Sequence, residues 1–307
     1  MDTQEELDKR FLKTKAYKKI RFVFERFLGK IEKTGGFGVI GSNTLVMRLL
    51  AKTEKLMDSV ELESGGNKVG NMGALKFLKK LKKLCPNVYF LNSFGSKRLD
   101  YGTGHELNFF AFLVCLKFKM KLDIHEIDGC LIEYFRIIRK YLLKFHLEPA
   151  GSHGAWGYCD YQIFPFLIGA LQNFNEERTL GQKYGPILES HSINPGLNIV
   201  PNTEDEMYNS LSFIAFQKTK INKIKFKNHS PMLYALKDKT WEDIVETLTR
   251  YLEDKVFGKY VVMQHFAFTY TLSKYEVPPV DSSDDDIPHY ATFKVNHGSR
   301  NEISKRY

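Results

Sequence analysis

The segment at residues 98–106, RLDYGTGHE, combines residue types that can bind an anion. Gly102 and Gly104 allow a tight turn just before a strongly apolar stretch that is typical of a buried helix. The first N–H groups of a helix and the positive end of its dipole together favour a bound phosphate. Arg98 could add a bidentate contact to that phosphate. One interpretation of this segment is therefore a phosphate-binding turn.

The same turn has an alternative, purely structural interpretation. Thr103 and Glu106 have the spacing of a capping box, in which two side chains satisfy backbone N–H groups at a helix start. No Gly-Lys-Ser/Thr sequence follows the glycines, so the segment is not a Walker A phosphate loop. The residues alone leave two possibilities open, a phosphate site and a well-capped helix that binds nothing.

A glycine-rich loop at residues 148–161 is the second segment that core packing alone does not explain. Gly151, Gly154 and Gly157 disfavour a regular helix or strand. Trp156 and the neighbouring tyrosines could form a rigid wall for a peptide or another ligand. Alternatively, Trp156 fills a gap in a structural turn. Asp160 offers Mg²⁺ a hard oxygen ligand, which backbone carbonyls could supplement.

Zinc is an alternative metal for this loop, because His153, Cys159 and Asp160 lie close together in the sequence. No second pair of ligands accompanies them. The four cysteines of the chain form no CxxC pair. This usage is typical of a reducing compartment and argues against both a disulfide framework and a structural zinc site.

The third segment is VVMQHF at residues 261–266. Gln264 and His265 could contact an adenine or a ribose if this segment reaches the turn at residues 98–106. His265 lies among apolar and aromatic residues, so a core histidine that makes one hydrogen bond is the alternative.

The elements that must position these segments are mainly helical. Apolar residues recur at helical intervals over residues 5–34, 44–61, 72–84, 106–121, 126–147 and 241–254. Residues 106–121 are apolar almost all round, which indicates a helix in the middle of a bundle. Strand-like alternation occurs only at residues 260–272. We therefore predict one all-α domain at residues 5–274, followed by a disordered tail at residues 275–307 that has few large apolar residues.

Charge and hydropathy narrow the class of protein. The net charge is +9, and two lysine clusters stand out, at residues 76–83 and 218–227. Such clusters can bind nucleic acid or an acidic protein surface. Neither carries a base-reading motif, so we interpret each as a solvated face and expect no nucleic-acid partner, which a salt-dependent shift on DNA or RNA would contradict. The charged N-terminus lacks the apolar region of a signal peptide, and no apolar stretch is long enough to span a bilayer. We expect a soluble intracellular protein.

Three matching segments carry a resemblance to a known family. Residues 98–106, then residues 149–157 continuing to FPF at 164–166, and then QHF at 264–266 resemble the phosphotyrosyl phosphatase activator family. The order and spacing hold from roughly residue 10 to residue 270. A match of nine consecutive residues is far more specific than an isolated glycine motif.

The resemblance implies an all-α fold with core, lid and linker parts and a groove for a proline-containing peptide. It also implies binding to the catalytic and scaffold subunits of protein phosphatase 2A, with ATP and Mg²⁺ near the catalytic subunit. Family members are assigned peptidyl-prolyl cis–trans isomerase activity and are expected in the cytoplasm and nucleus.

The resemblance further assigns individual residues. The nucleotide would be bound by Arg98, Thr103, Gly104, Gln264 and His265, the magnesium ion by the Gly154 carbonyl and Asp160, and the peptide by Tyr101, Gly151 and Trp156. Cys159 stands where the family usually has a second acid, which weakens the electrostatic support for Mg²⁺. His153 stands where an amide is common.

The alternative from another class is a non-catalytic helical adaptor that binds a protein partner. In that protein the GTGHE turn would be only a helix cap. Binding of ATP by the purified chain discriminates between the two hypotheses.

Overall fold

The computed structural model describes residues 4–35, 44–63, 70–151, 157–189, 203–221, 223–264 and 266–274. The predicted tail at residues 275–307 lies outside these ranges. The helices are α1 (Gln4–Lys9), α2 (Lys15–Thr34), α3 (Leu45–Asp58), α4 (Gly73–Leu84), α5 (Val88–Asn92), α6 (Thr103–Met120), α7 (Ile124–Phe145), α8 (Phe164–Gln172), α9 (Leu180–Leu188), α10 (Glu206–Ile214), α11 (Phe226–His229), α12 (Pro231–Tyr234), α13 (Trp241–Leu252), α14 (Tyr260–Met263) and α15 (Tyr270–Lys274).

Short irregular elements connect these helices. A 3₁₀ turn spans Phe11–Lys13, and π-helical stretches span Ala215–Ile221 and Glu253–Phe257. Strands β1 (Asp100–Tyr101) and β2 (Glu148–Pro149) pair in parallel. The predicted all-α fold is confirmed. In the described part of the chain, no helix combines the length and apolar character needed to cross a bilayer.

Five of the predicted helices correspond to α3, α4, α6, α7 and α13, with ends shifted by a few residues. The sixth, predicted at residues 5–34, is divided into α1, the 3₁₀ turn and α2. The division occurs because Thr14 is extended and its hydroxyl accepts the backbone N–H of Tyr17 at 3.0 Å, which starts a new helix. Thr240 caps α13 in the same way, as its side chain accepts the N–H of Asp243 at 3.1 Å.

Helix α6 lies in the middle of the bundle and contacts α2, α5, α7, α14 and α15. Its residues from Glu106 to Cys115 are all buried. The Phe109 ring stacks on the Tyr134 ring of α7 with centroids 3.8 Å apart and an interplanar angle of 4°. The prediction of a helix buried on all sides is confirmed, and this helix holds the first candidate segment in place.

The strand-like alternation at residues 260–272 does not form a strand. The chain turns locally there, since the N–H of Gln264 donates to the Tyr260 carbonyl at 2.7 Å, and α14 and α15 result. Met263, Phe266 and Leu272 are buried by packing onto the bundle, whereas Val261, Phe268 and Tyr270 are exposed. Phe266, for example, packs edge-on against Phe11 with centroids 5.2 Å apart.

Candidate functional site

The parallel β1–β2 pair places the turn beside the glycine-rich loop. Asp100 pairs with Glu148, and the N–H of Ala150 donates to the Tyr101 carbonyl at 2.7 Å. Gly102 then passes so close to Ala150 that an added Cβ would lie 3.0 Å from the Ala150 carbonyl oxygen. This close approach explains the glycine, because any side chain there would push the two segments apart.

The third segment also reaches the turn. A Cβ on Gly104 would lie 3.2 Å from the Val262 carbonyl oxygen and 3.3 Å from its Cγ1 atom, so α14 packs directly on the first turn of α6. Gln264 follows α14, is exposed, and donates from Nε2 to the Val261 carbonyl at 3.0 Å. His265 lies outside the described residues. Residues 261–264 therefore reach the turn at residues 98–106, as a contact between Gln264 and a nucleotide bound there would require.

The capping-box interpretation of the turn is wrong. Gly102, which is extended, is the N-cap of α6, and Thr103 is already its first helical residue. Glu106 does not reach back to the start of its own helix. Its carboxylate is fully buried and accepts the backbone N–H groups of Ile163 at 3.0 Å and Phe164 at 3.2 Å, at the start of α8. The sequence spacing was correct for a cap, but the side chain caps a different helix.

The burial of Glu106 has an electrostatic consequence. Burial raises the pKa of this carboxyl group to about 8, although the two backbone N–H donors and Arg139 act in the opposite direction. Arg139 is itself buried and pairs with Glu206 of α10. Glu106 therefore joins the turn to the segment that carries Asp160, in a part of the core that contains other charged groups.

Arg98, Asp100 and His105 form a polar group beside the turn. The Arg98 side chain is 68% exposed, and its guanidinium lies 2.8 Å from an Asp100 carboxylate oxygen. His105 Nε2 lies 3.9 Å from the same carboxylate, and its Nδ1 lies 2.6 Å from the Asn92 carbonyl. A carbonyl only accepts, so Nδ1 carries the proton. The nearby His105 ring, together with the charge of Arg98, lowers the pKa of Asp100. A phosphate would have to share Arg98 with Asp100.

Asp160, the predicted magnesium ligand, is bound to a lysine. Its Oδ2 atom accepts from Lys218 Nζ at 2.7 Å. Within the described ranges, no group of three or more His, Cys, Asp or Glu residues is arranged to hold a metal ion. Gly154, the predicted carbonyl ligand, and His153 of the zinc alternative lie outside those ranges. Of the two predicted magnesium ligands only Asp160 lies within the described ranges, and Cys159 of the zinc alternative accepts the backbone N–H of Gln162 at 3.3 Å.

The predicted peptide-groove residues differ in their accessibility. Tyr101 is fully buried, and its hydroxyl lies 2.8 Å from that of Tyr134, which in turn donates to the Ser93 carbonyl at 2.7 Å. The Tyr101 ring therefore offers no surface to a peptide in this conformation. Gly151 has a φ of +66°, and a Cβ added to it would meet no atom of the described residues within 4 Å. Trp156 lies outside the described residues.

A separate cleft of about 280 Å³ lies along α9. Thr179, Gly181, Glu189 and Lys237 are among the residues that line it, and none of the three candidate segments contributes. We therefore locate the candidate site by the convergence of the segments around the start of α6, rather than by the size of a cavity.

Comparison with known proteins gives this convergence a family context. Residues 85–274 match the family model described as phosphotyrosyl phosphate activator (PTPA) protein. The chain belongs to the PTPA family. The match contains all three candidate segments and ends where α15 ends, so residues 275–307 lie outside it.

Individual relatives agree with the PTPA assignment. The chain is 32% identical over 229 residues to the serine/threonine-protein phosphatase 2A activator of Encephalitozoon cuniculi, a match that covers 74% of this chain and 81% of that protein. It is 38% identical over 192 residues to activator 2 of Candida albicans, covering 59% of this chain but only 51% of the relative. The crystal structure of the PP2A phosphatase activator Ypa1 superposes with a TM-score of 0.65 and 25% identity, covering 87% of this chain and 91% of that one.

Proposed function

We propose that this PTPA-family protein activates protein phosphatase 2A by binding its catalytic subunit together with ATP and Mg²⁺. One observation carries the proposal: the β1–β2 pair and the Gly104–Val262 contact gather all three family segments around the N-terminus of α6. Three segments that are distant in sequence would not need such close approach if the GTGHE turn were only a helix cap.

The turn supplies groups suited to the phosphates of ATP. Arg98 is exposed and can reorient toward an anion, and the helix α6 behind Thr103 and Gly104 is long enough to have a substantial dipole. Gln264 has an exposed side chain beside the same turn and, with His265, would contact the base or ribose. These residues have the chemistry to bind a nucleotide. The phosphates of the bound nucleotide would then present negative charge that a protein partner can contact.

Magnesium would depend on ATP more than on the protein. Asp160 is a single carboxylate, and Lys218 occupies it. Because Mg²⁺ is usually held by one or two carboxylates plus substrate phosphates, Asp160 and the Gly154 carbonyl fit a nucleotide-borne ion better than a permanent one. Cys159, in place of a second acid, supports the same view.

An isomerase activity belongs to the proposal as its second part. Rotation about a peptide bond faces a barrier of ~18–20 kcal/mol. A groove near Gly151 and Trp156 would lower the barrier if it bound the twisted amide more tightly than either planar isomer, without a covalent nucleophile. The target would be a proline-containing segment of the phosphatase, whose catalytic and scaffold subunits are the proposed partners in the cytoplasm and nucleus.

Reactivation of metal-depleted phosphatase tests the proposal. We expect the wild-type chain to restore phosphatase activity only with ATP and Mg²⁺, and Arg98→Ala to reduce the initial rate at limiting ATP. Lys97→Ala is the matched control, because Lys97 is an adjacent exposed cation outside the resemblance. An equal loss of initial rate in the two variants would show that only the surface charge matters, and it would contradict the role of Arg98.

A non-catalytic adaptor is the second candidate, and the Arg98–Asp100 ion pair favours it, because that pair satisfies Arg98 without any phosphate. An adaptor would bind the phosphatase equally well without nucleotide. Calorimetric titration with ATP separates the two functions, since an adaptor would release no binding heat.

A further inference from the structure

One side of α4 is a continuous cationic surface. The helix buries Gly73, Ala74, Phe77 and Leu81 against the bundle. Its opposite side exposes five lysines, at positions 76, 79, 80, 82 and 83. Lys76 pairs with Glu63 at 2.5 Å, whereas no described acidic side chain lies within 4 Å of the amino groups of the other four. We call these four residues, Lys79, Lys80, Lys82 and Lys83, the α4 lysine face.

The last described part of the chain contacts α5, the helix that follows α4. Thr269 donates from its backbone N–H to the Tyr89 hydroxyl at 3.3 Å, and that hydroxyl bonds to the Ala267 carbonyl. Tyr89 is the second residue of α5, which begins only three residues after the end of α4. The C-terminal segment therefore packs against α5, and α15, which contacts α2 and α6, ends at Lys274.

The sequence that follows carries a concentrated negative charge. Residues 281–286 read DSSDDD, with four aspartates and no cation. From Lys274 the chain can span about 25 Å to Asp281 and about 40 Å to Asp286, at up to ~3.6 Å per residue. The lysine face itself extends only ~6 Å along α4, at ~1.5 Å per residue. The stretch from Lys274 to Asp286 is therefore several times longer than the face.

We propose that the acidic segment, residues 281–286, binds the α4 lysine face of the same chain. Charge complementarity favours this occupant, because the face has four cations that no described carboxylate pairs with, and the segment has four anions within six residues. Exposed ion pairs are individually weak, but the covalent connection raises the local concentration of the segment and lets several pairs act together. Bound in this way, the segment screens the face from other polyanions.

Carbodiimide cross-linking of the full chain tests the contact directly, since this reagent joins a lysine amine to a carboxylate with loss of water and leaves no spacer. The products are mapped by mass spectrometry. At ~0.01 M salt, where the screening length is ~30 Å, we expect links from residues 281–286 to concentrate on the lysine face. At ~1 M salt, where it is ~3 Å, the same links should fall several-fold. Links spread evenly over exposed lysines would overturn the proposal.

Charge-reversal variants provide the matched control. The triple change Lys79→Glu, Lys82→Glu and Lys83→Glu should abolish the links. The triple change Lys225→Glu, Lys227→Glu and Lys239→Glu, which removes three exposed lysines elsewhere, should leave the links unchanged. Adding Asp281→Lys, Asp284→Lys and Asp285→Lys to the α4 triple should restore links in the reversed sense. Failure of this rescue in a chain with an unchanged circular dichroism spectrum would contradict the proposal.

The source of the acidic group and the effect on other anions complete the test. Links between two copies, which increase with protein concentration, would assign the face to a second molecule and overturn the intramolecular contact.

Neutralising the segment, with Asn at positions 281, 284, 285 and 286, should raise the affinity for heparin at low salt several-fold. That gain should disappear in the α4 triple variant, and an unchanged heparin affinity would show that the segment does not cover the face.

Discussion

The carboxylate of Glu106 accepts the backbone N–H of Ile163 at 3.0 Å, across 57 residues of the chain. Glu106 belongs to the first turn of α6, and Ile163 is the N-cap of α8. The segment that carries Asp160 ends at this cap. The bond therefore fixes the proposed phosphate-binding turn relative to the proposed magnesium ligand, and both depend on one buried side chain.

Glu106 should make the stability of the protein depend on pH. Its pKa is about 8 in the folded protein, against ~4.3 for an ordinary glutamate. Between these values the folded state keeps a proton that the unfolded state loses, so stability falls as pH rises, by up to ~1.4 kcal/mol per pH unit. Denaturant unfolding of wild type and Glu106→Gln from pH 5 to pH 9 measures this. The variant should lack the decline, and parallel profiles would show that Glu106 titrates normally.

Arg98→Ala should weaken ATP binding without unfolding the protein. A hydrogen bond to a charged group contributes ~1.5–3 kcal/mol, which corresponds to a ten- to hundredfold loss of affinity. Because Arg98 is mostly exposed, the melting temperature should change little. Titration calorimetry and a thermal melt give both quantities, and Lys97→Ala serves as the control. Unchanged affinity would remove Arg98 from the phosphate site.

Asp160→Asn should separate the metal from the nucleotide. The amide keeps the size of the side chain but loses the charge, so ATP affinity measured in Mg²⁺ should fall several-fold. Affinity measured with EDTA should remain near the wild-type value, because the phosphates would still bind at the α6 turn. An equal loss in both conditions would indicate that Asp160 acts by holding Lys218 in place rather than by binding the metal.

Two helical glycines should respond to alanine in opposite directions. A Cβ on Gly169 of α8 would lie 2.4 Å from the Met207 backbone nitrogen of α10, so Gly169→Ala should destabilise the protein by ~1–3 kcal/mol or more. A Cβ on Gly129 of α7 would meet no atom of the described residues within 4 Å. Gly129→Ala should stabilise by ~0.5–1 kcal/mol through the lower flexibility of alanine. Denaturant midpoints compare them, and similar midpoints would contradict close packing of α8 on α10.

Acid should weaken the contact between α3 and α7. The Arg136 guanidinium donates to Glu54 at 2.9 Å, and this hydrogen bond is the main reason that the pKa of Glu54 falls to about 2. The stabilisation is complete above pH ~4.5 and is lost as pH falls toward 2, and partial exposure limits it to ~1–2 kcal/mol. Glu54→Gln should therefore lose stability at pH 7 but converge with wild type near pH 2. A constant difference across this range would mean that Glu54 contributes through packing alone.

The sequence by itself determined the family and the helices of 12 or more residues, whereas the shorter helices, such as α8, α9 and α10, were not predicted. Helical hydrogen bonds join residues four apart, so the apolar intervals of α3, α4, α7 and α13 and the Thr240 cap can be recognised locally. The RLDYGTGHE and PAGSHGAWG segments likewise indicated the PTPA family from consecutive residues, and the family match over residues 85–274 agrees. None of these conclusions needed a contact between distant parts of the chain.

Only the tertiary structure decided which partner each polar side chain meets. Glu106 has the local spacing of a cap for α6. In the folded bundle its carboxyl group is buried and caps α8 instead. Tyr101 was predicted to contact a peptide, but its side chain is buried and its hydroxyl forms a hydrogen bond with that of Tyr134 of α7. The two-residue β1–β2 pair, which brings the turn to the glycine-rich loop, is too short to leave a periodic pattern. Such contacts depend on how the completed bundle excludes water, and local sequence does not encode that geometry.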